Sequence, residues 1–227
     1  MAAATRPGQA VSDPAPDRAA VMEAESAASA AALVSDVAVR RSAVEQIRAA
    51  GLELLGPCER LSSQPGLMER SPLLQDFTPA EADILGQSML RVRARTGQLL
   101  IAEDEASDWM MLLLKGTVDV GKRRPDADTQ REDHDRTTRL AVFRAGAVLG
   151  EMSMLDGEPR YASCWALSDV EAAMLTRAAV ARLIVDHPGV GAKLLVKLTQ
   201  LLAQRLRNTS IQLVRALQKI DGAAADS

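Results

Sequence analysis

Residues 146–163 read G-A-V-L-G-E-M-S-M-L-D-G-E-P-R-Y-A-S and carry the most specific pattern in this chain of 227 residues. The carboxylate of Glu151 follows Gly150 directly, and the guanidinium of Arg160 comes nine residues later. A carboxylate accepts hydrogen bonds from hydroxyl groups, and a planar guanidinium binds two phosphate oxygens at once. Backbone N–H groups at the start of the intervening helical turn add positive partial charge. The stretch therefore predicts a site for a ligand that has both a sugar hydroxyl and a phosphate.

The same stretch resembles the phosphate-binding cassette of the cyclic nucleotide-binding domain family, which includes the catabolite activator proteins and the regulatory subunits of protein kinase A. The family pattern reads F-G-E-(M/L)-(S/A)-L-(L/I)-x-x-x-P-R-(S/T/A)-A-(T/S). The positions that match it are Gly150, Glu151, Met152, Ser153, Leu155, Pro159, Arg160, Ala162 and Ser163. The resemblance implies a receptor in which the cassette binds the ribose and the phosphate through Gly150, Glu151, Met152, Ser153, Arg160, Tyr161 and Ala162.

Tyr161 departs from this pattern, because the family has Ser, Thr or Ala directly after the arginine. A tyrosine there could stack on the purine or hydrogen-bond through its phenol, or it could crowd the pocket and exclude the usual ligand. Three functions therefore stay open. They are a cyclic AMP or cyclic GMP receptor, a receptor for a cyclic dinucleotide with Tyr161 stacked on guanine, and a ligand-free pseudo-receptor that acts as a protein-interaction scaffold.

A long helix is predicted from Gly189 to about Ile220, after a break at His187 and Pro188. Its apolar stripe is typical of a dimer coiled coil, and packing against its own barrel is the alternative. The stripe consists of Leu202, Leu206, Leu213 and Ile220, with Thr209 between the second and the third.

Within this helix, residues 203–210 read A-Q-R-L-R-N-T-S and resemble the central helix of catabolite activator proteins. The resemblance implies that Arg205 pairs with Glu151 across the pocket. It also implies that Thr209 and Ser210, contributed by two subunits, contact the adenine, which favours cyclic AMP over cyclic GMP.

Short segments bounded by turn signals predict a mainly β fold, an antiparallel β-roll or jelly-roll barrel with flanking helices, an N-terminal helical segment and the long C-terminal helix. The capping box of Thr78 and Glu81 predicts a helix start, and Thr176 opens another. The predicted strands are 98–102, 109–114, 117–120, 139–143, 162–167 and 171–175, with a mobile charged loop over 121–136.

Four regions are predicted along the chain. Residues 1–34 contain few large apolar side chains and are predicted to be a disordered leader. Residues 35–70 are predicted to form a helix over 35–55, ended by Pro57, and a linker. The β-roll is expected over 71–187, and the long helix and a tail over 188–227.

The composition argues against several classes of protein. The net charge of −3 is not that of a nucleic-acid binder, and no apolar run reaches the length of a membrane span. The two histidines and two cysteines do not have metal-site or nucleophile spacing, so neither an enzyme nor a cofactor is expected. The expectation is a stand-alone cytoplasmic receptor without a DNA-binding domain, a homodimer through its long helix that signals to an unknown protein effector.

Overall fold

The computed structural model describes residues 38–124 and 137–225, with side chains described as far as residue 218. The predicted leader, residues 1–34, lies outside the described residues. Most of the predicted charged loop also lies outside them. The loop prediction began too early, because strand pairing with the segment after the loop continues to Arg123.

The described strands form two antiparallel sheets. The strands are β1 (Glu53–Pro57), β2 (Leu90–Ala94), β3 (Leu99–Ile101), β4 (Trp109–Lys115), β5 (Thr117–Arg123), β6 (Thr137–Arg144), β7 (Val148–Leu149), β8 (Ser163–Ala166) and β9 (Val170–Thr176). One sheet has the order β1-β2-β9-β4-β7, and the other has the order β3-β8-β5-β6. This arrangement confirms the predicted mainly β, antiparallel fold.

Helices flank the two sheets. They are α1 (38–49), α2 (Leu67–Arg70), α3 (Pro79–Gln87), α4 (Glu151–Asp156), α5 (Arg177–Asp186) and α6 (Pro188–Ala225), with a short 3-10 turn at Leu61–Ser63. The predicted capping box is present at the start of α3, where Thr78 and Glu81 each accept from the other's backbone N–H. Thr176 caps α5 as predicted, because its hydroxyl accepts from the backbone N–H of Ala179 at 3.2 Å.

Strand β4 separates two apolar cores. Met110 and Leu112 point to the side where the helices pack, and they share a core cluster with Leu194 of α6. Met111 and Leu113 alternate to the inside of the roll, where they pack in a second cluster. Side chains of a strand alternate between its two faces, so a strand covered on both sides is apolar throughout. This is why residues 109–114 read as one unbroken apolar run.

The first half of α6 is fixed to α3 and to the residues just before it. The ammonium of Lys193 lies 2.6 Å from Oε1 of Glu81, and Lys197 pairs with Asp76. The hydrogen bond from Lys193, helped by the backbone N–H of Thr78, lowers the pKa of Glu81 to about 2. From residue 206 to residue 218, the side chains of α6 are exposed.

The N-terminal part of the domain differs from the prediction. The predicted helix over 35–55 was wrong at its end: α1 stops at 49, and Gly51 takes a φ of 67°, which is outside the helical region. The chain then enters β1, which pairs with β2, so Pro57 ends a strand instead of a helix. Ile47 and Leu52 are buried in the core inside the roll, so a domain that starts near Ser71 was also too short.

Candidate functional site

A cavity of about 400 Å³ lies between the cassette, the sheet β3-β8-β5-β6 and helix α6. Apolar side chains of β3, β5 and β6 form one wall. Of the predicted site residues, the cavity is lined by Gly150, Glu151, Met152, Ser153, Arg160, Tyr161, Ala162, Arg205 and Thr209. The structure therefore brings the cassette and the long helix, which are far apart in sequence, to one site.

Gly150 lets the chain turn sharply from β7 into α4. Its φ of 74° lies in the left-handed region, which glycine adopts without steric cost. Its missing side chain also leaves room for Arg160, because an added Cβ would lie 2.5 Å from Nη1 of that arginine. A glycine here thus sets both the start of α4 and the position of the guanidinium.

Arg160 is buried, with 2% of its surface exposed, and all three guanidinium nitrogens donate to protein acceptors. Nε donates to the hydroxyl of Ser107 at 2.6 Å, Nη1 to the carbonyl of Gly150 at 2.6 Å, and Nη2 to the carbonyl of Trp109 at 2.7 Å. The guanidinium also lies over the Trp109 ring, 4.3 Å from its centroid.

These acceptors of Arg160 are all neutral. Within residues 38–124 and 137–225, the salt bridges do not include Arg160. Burial lowers the pKa of Arg160, and the charges of nearby groups such as Glu105 and Glu151 partly oppose that effect. Each terminal nitrogen carries two N–H groups and uses one, so one N–H on each remains for an anion. A buried cation without a direct counter-ion beside a cavity is suited to an anionic ligand.

Glu151 is buried, with 1% of its surface exposed, and its Oε1 forms an ion pair with Nη1 of Arg205. This is the pair that the resemblance implied. Arg205 also donates from Nη2 to the carbonyl of Val148 at 2.5 Å and lies over the ring of Phe143. Arg205 therefore connects α6 to the cassette through its side chain.

Tyr161 stands at the rim of the cavity and does not fill it, since 59% of its surface is exposed. The ammonium of Lys122 lies 4.5 Å from the centre of the Tyr161 ring and donates to the Tyr161 carbonyl at 2.8 Å. Glu103 pairs with Lys122 at 2.9 Å. Burial acts to raise the pKa of Glu103, but the hydrogen bonds from the backbone of Arg123 and from Lys122 outweigh it and lower that pKa.

Helix α6 places Thr209 and Ser210 differently with respect to the cavity. Thr209 lines the cavity and donates from its hydroxyl to the carbonyl of Arg205 at 3.0 Å. Ser210 does not line the cavity of its own chain, and its hydroxyl donates to the carbonyl of Leu206. Consecutive helical residues point about 100° apart, so Thr209 and Ser210 of one chain do not line the same cavity. That Ser210 of a second subunit contacts the ligand stays a prediction.

Sequence reasoning missed the apolar wall of this site and three of its polar residues. Ser107 holds the guanidinium of Arg160, and Asn208 and Gln212 line the cavity beside Thr209. The two helical residues could have been found from Arg205, because residues three, four and seven positions later share its helix face. No local signal connects Ser107 with Arg160.

The described part of the chain lacks the features of a metal-binding or membrane-spanning protein. It holds no cluster of three or more His, Cys, Asp or Glu that could bind a metal ion. Among its helices, none combines the length and the apolar character that crossing a membrane requires. Cys58 and Cys164 are buried free thiols, and burial raises their pKa values to about 11 and about 12.

Comparisons with known proteins agree with this geometry. The cyclic nucleotide-binding domain family matches residues 91–187. A solved cyclic nucleotide-binding domain from Methylobacillus flagellatus is 32% identical with a TM-score of 0.61, over 72% of this chain and 88% of that one. The crystal structure of the Thermus thermophilus catabolite activator protein is 27% identical with a TM-score of 0.55, over 63% of this chain and 62% of that one.

Curated relatives are similar over the same region. The CRP-like cAMP-activated global transcriptional regulator of Mycobacterium tuberculosis is 28% identical over 144 residues, which is 63% of this chain and 59% of that protein. The cyclic AMP receptor protein of Thermus thermophilus is 30% identical over 146 residues, which is 64% of this chain and 62% of that protein. The chain thus spans about three fifths of the length of these relatives.

Proposed function

This chain belongs to the cyclic nucleotide-binding domain family, and we propose that it is a non-catalytic receptor for a cyclic nucleotide, cyclic AMP, that signals through helix α6 to a protein partner. The observation that carries this proposal is the state of Arg160. It is a buried cation at a cavity wall, its acceptors are neutral, and it keeps one free N–H on each terminal nitrogen. A cyclic phosphodiester, with a single negative charge shared by two free oxygens, complements that arrangement.

Glu151 supports the ribose half of the proposed ligand. Its Oε1 is taken by Arg205, which leaves Oε2 to accept a hydrogen bond from a ribose hydroxyl. The ligand would therefore join the existing ion pair and would not have to break it. Because Arg205 belongs to α6, ligand contact with Glu151 couples occupancy of the cavity to the position of the helix.

Helix α6 supports the proposal of a homodimer. Leu206, Leu213 and Leu217 recur at steps of seven and four residues and are exposed, at 69%, 59% and 51%. Ile220 also belongs to the predicted stripe, but its side chain lies outside the described set. An exposed apolar face of this kind is suited to a second copy of the helix, whose Ser210 would then approach this chain's ligand. Sedimentation of the wild type and of Leu213→Lys measures the oligomeric state of each protein. If both are monomers, the proposed dimer through this face of α6 is contradicted.

Two observations favour the alternatives. Each charged group of the cavity already has protein partners without a ligand, because Arg160 has three acceptors and Glu151 has Arg205, and this favours the scaffold. The exposed ring of Tyr161 favours a larger ligand that stacks at the rim, such as a cyclic dinucleotide. The cavity of about 400 Å³ is near the small end of the usual range for ligand pockets and suits a mononucleotide better.

Calorimetric titration tests the three functions together. The wild type is titrated with cyclic AMP, cyclic GMP and a cyclic dinucleotide, and Arg160→Lys is the matched variant because it keeps the charge but loses the planar fork. The receptor proposal predicts saturable binding of cyclic AMP that weakens at least tenfold in Arg160→Lys, about 1.5–3 kcal/mol for a charge-assisted contact. If no nucleotide binds at millimolar concentration, the receptor proposals are excluded and the scaffold is the remaining function.

A further inference from the structure

Helix α6 presents four polar side chains to the cavity: Arg205, Asn208, Thr209 and Gln212. They share one face of the helix. We propose that Asn208 and Gln212 contact the base of the bound nucleotide and determine which base the site prefers, an inference that rests on the proposed receptor function.

Position along the helix assigns these residues to the base. Glu151 and Arg160, on the cassette, would hold the ribose and the phosphate, and Arg205 meets Glu151 there. Gln212 lies seven residues beyond Arg205, which is about 10 Å along a helix axis. That length is comparable with the reach of a nucleoside from its ribose to the far edge of its base.

A relay of hydrogen bonds fixes the orientation of the Asn208 amide. Nη2 of Arg207 donates to Oε1 of Gln204 at 3.0 Å, and Nε2 of Gln204 donates to Oδ1 of Asn208 at 3.0 Å. An arginine side chain can only donate, so it determines which end of Gln204 carries the oxygen. The oxygen of Asn208 thereby accepts from Gln204, and its NH₂ group is left to donate to a ligand.

Thr209 offers a ligand a hydrogen-bond acceptor, where Asn208 offers a donor. Its hydroxyl gives its proton to the carbonyl of Arg205 at 3.0 Å, so only lone pairs remain for the ligand. The neighbouring positions Asn208 and Thr209 thus offer one donor and one acceptor with set polarity. Such a pair can tell apart bases whose edges carry donors and acceptors in different order.

The side-chain amide of Gln212 lies on the same face of α6 as Asn208 and Thr209. Among the described residues, its side chain makes no hydrogen bond. A free carboxamide offers a donor and an acceptor side by side and can bind the edge of a base through both at once. Because Asn208 and Gln212 are exposed on the helix surface, their substitution leaves both cores intact.

The test compares base preference and not affinity alone. The ratio of the dissociation constants for cyclic AMP and cyclic GMP is measured by calorimetry for the wild type, Asn208→Ala and Gln212→Met. Gln200→Met is the matched control, because Gln200 is an exposed glutamine of the same helix that does not line the cavity. Each of the two variants is expected to move the ratio toward one by about tenfold, with the control unchanged.

The outcomes separate this inference from the function on which it rests. A wild type that binds neither nucleotide removes the receptor proposal and this inference with it. A wild type that binds both equally, or variants whose ratio stays within about twofold of the wild-type ratio while binding persists, overturns the inference alone. Equal weakening of both nucleotides also overturns it, because a merely structural role of the amides would have that effect.

Discussion

Gly150→Ala is expected to destabilise the protein much more than Gly157→Ala, although both glycines flank α4 and both have positive φ. Their φ angles are 74° and 84°. An alanine in the left-handed region costs roughly 1–2 kcal/mol at either position. At Gly157 the new Cβ would meet nothing closer than 3.4 Å, from Nη2 of Arg177, so Gly157→Ala measures the backbone effect alone.

At Gly150 the new Cβ would lie 2.5 Å from Nη1 of Arg160. A guanidinium at the surface would move aside, but this one is buried and donates to Ser107, Trp109 and Gly150 itself. Moving it forfeits at least one hydrogen bond of a charged group, about 1.5–3 kcal/mol. Added to the backbone effect, the cost of Gly150→Ala is about 2.5–5 kcal/mol.

Equilibrium unfolding in urea, without ligand and near neutral pH, measures both variants. The expected difference between them is about 1.5–3 kcal/mol at an unchanged dependence on urea concentration. Costs equal within about 0.5 kcal/mol would refute the reasoning, since they would mean that Arg160 leaves its three acceptors freely.

Three further predictions follow from individual contacts. Arg205→Met leaves Glu151 buried without its partner and should lower the free energy of unfolding by about 2–3 kcal/mol. This loss is smaller than the loss expected for a fully buried pair, because the Arg205 side chain is 33% exposed. Adding Glu151→Gln should restore most of this, and a double variant no more stable than Arg205→Met would argue against the pair. Because Lys193 lowers the pKa of Glu81 from 4.5 to about 2, their contact stabilises the fold above pH 4.5 and is lost as the pH falls toward 2. Glu81→Gln should flatten this acid dependence of thermal unfolding, and parallel curves for both proteins would contradict it. Burial raises the pKa of Cys164 to about 12, so its thiol should resist alkylation near pH 8 until urea is added, whereas fast labelling of the native protein would disagree.

Elements with strong local signals could be predicted from the sequence. Residues 109–114 are apolar without interruption, and the structure confirms a strand there that is buried on both faces. The capping residue Thr78 and the break at Pro188 located the helices that follow them, because capping and proline act on the adjacent backbone.

Strand β2 could not be predicted in the same way, because its stabilising contacts are distant in sequence. Arg91 and Arg93 alternate with apolar positions, but no strand was predicted over 90–94. In the sheet both arginines bond to Glu171 of β9, at 2.5 and 3.2 Å. The local sequence does not show which segment, about eighty residues away, supplies the partner.

The amino-acid sequence alone determined the fold class and the chemistry of the cassette, because both depend on short-range patterns: alternating strands, capped helices, and a carboxylate and a guanidinium nine residues apart. Only the tertiary structure decided how those charges are held. It placed Arg205 on Glu151, gave Arg160 neutral acceptors, and turned Asn208 and Gln212 toward the cavity while Ser210 points elsewhere. The physical reason is that a local pattern specifies which groups are available, whereas their partners depend on where the sheet and α6 meet in space.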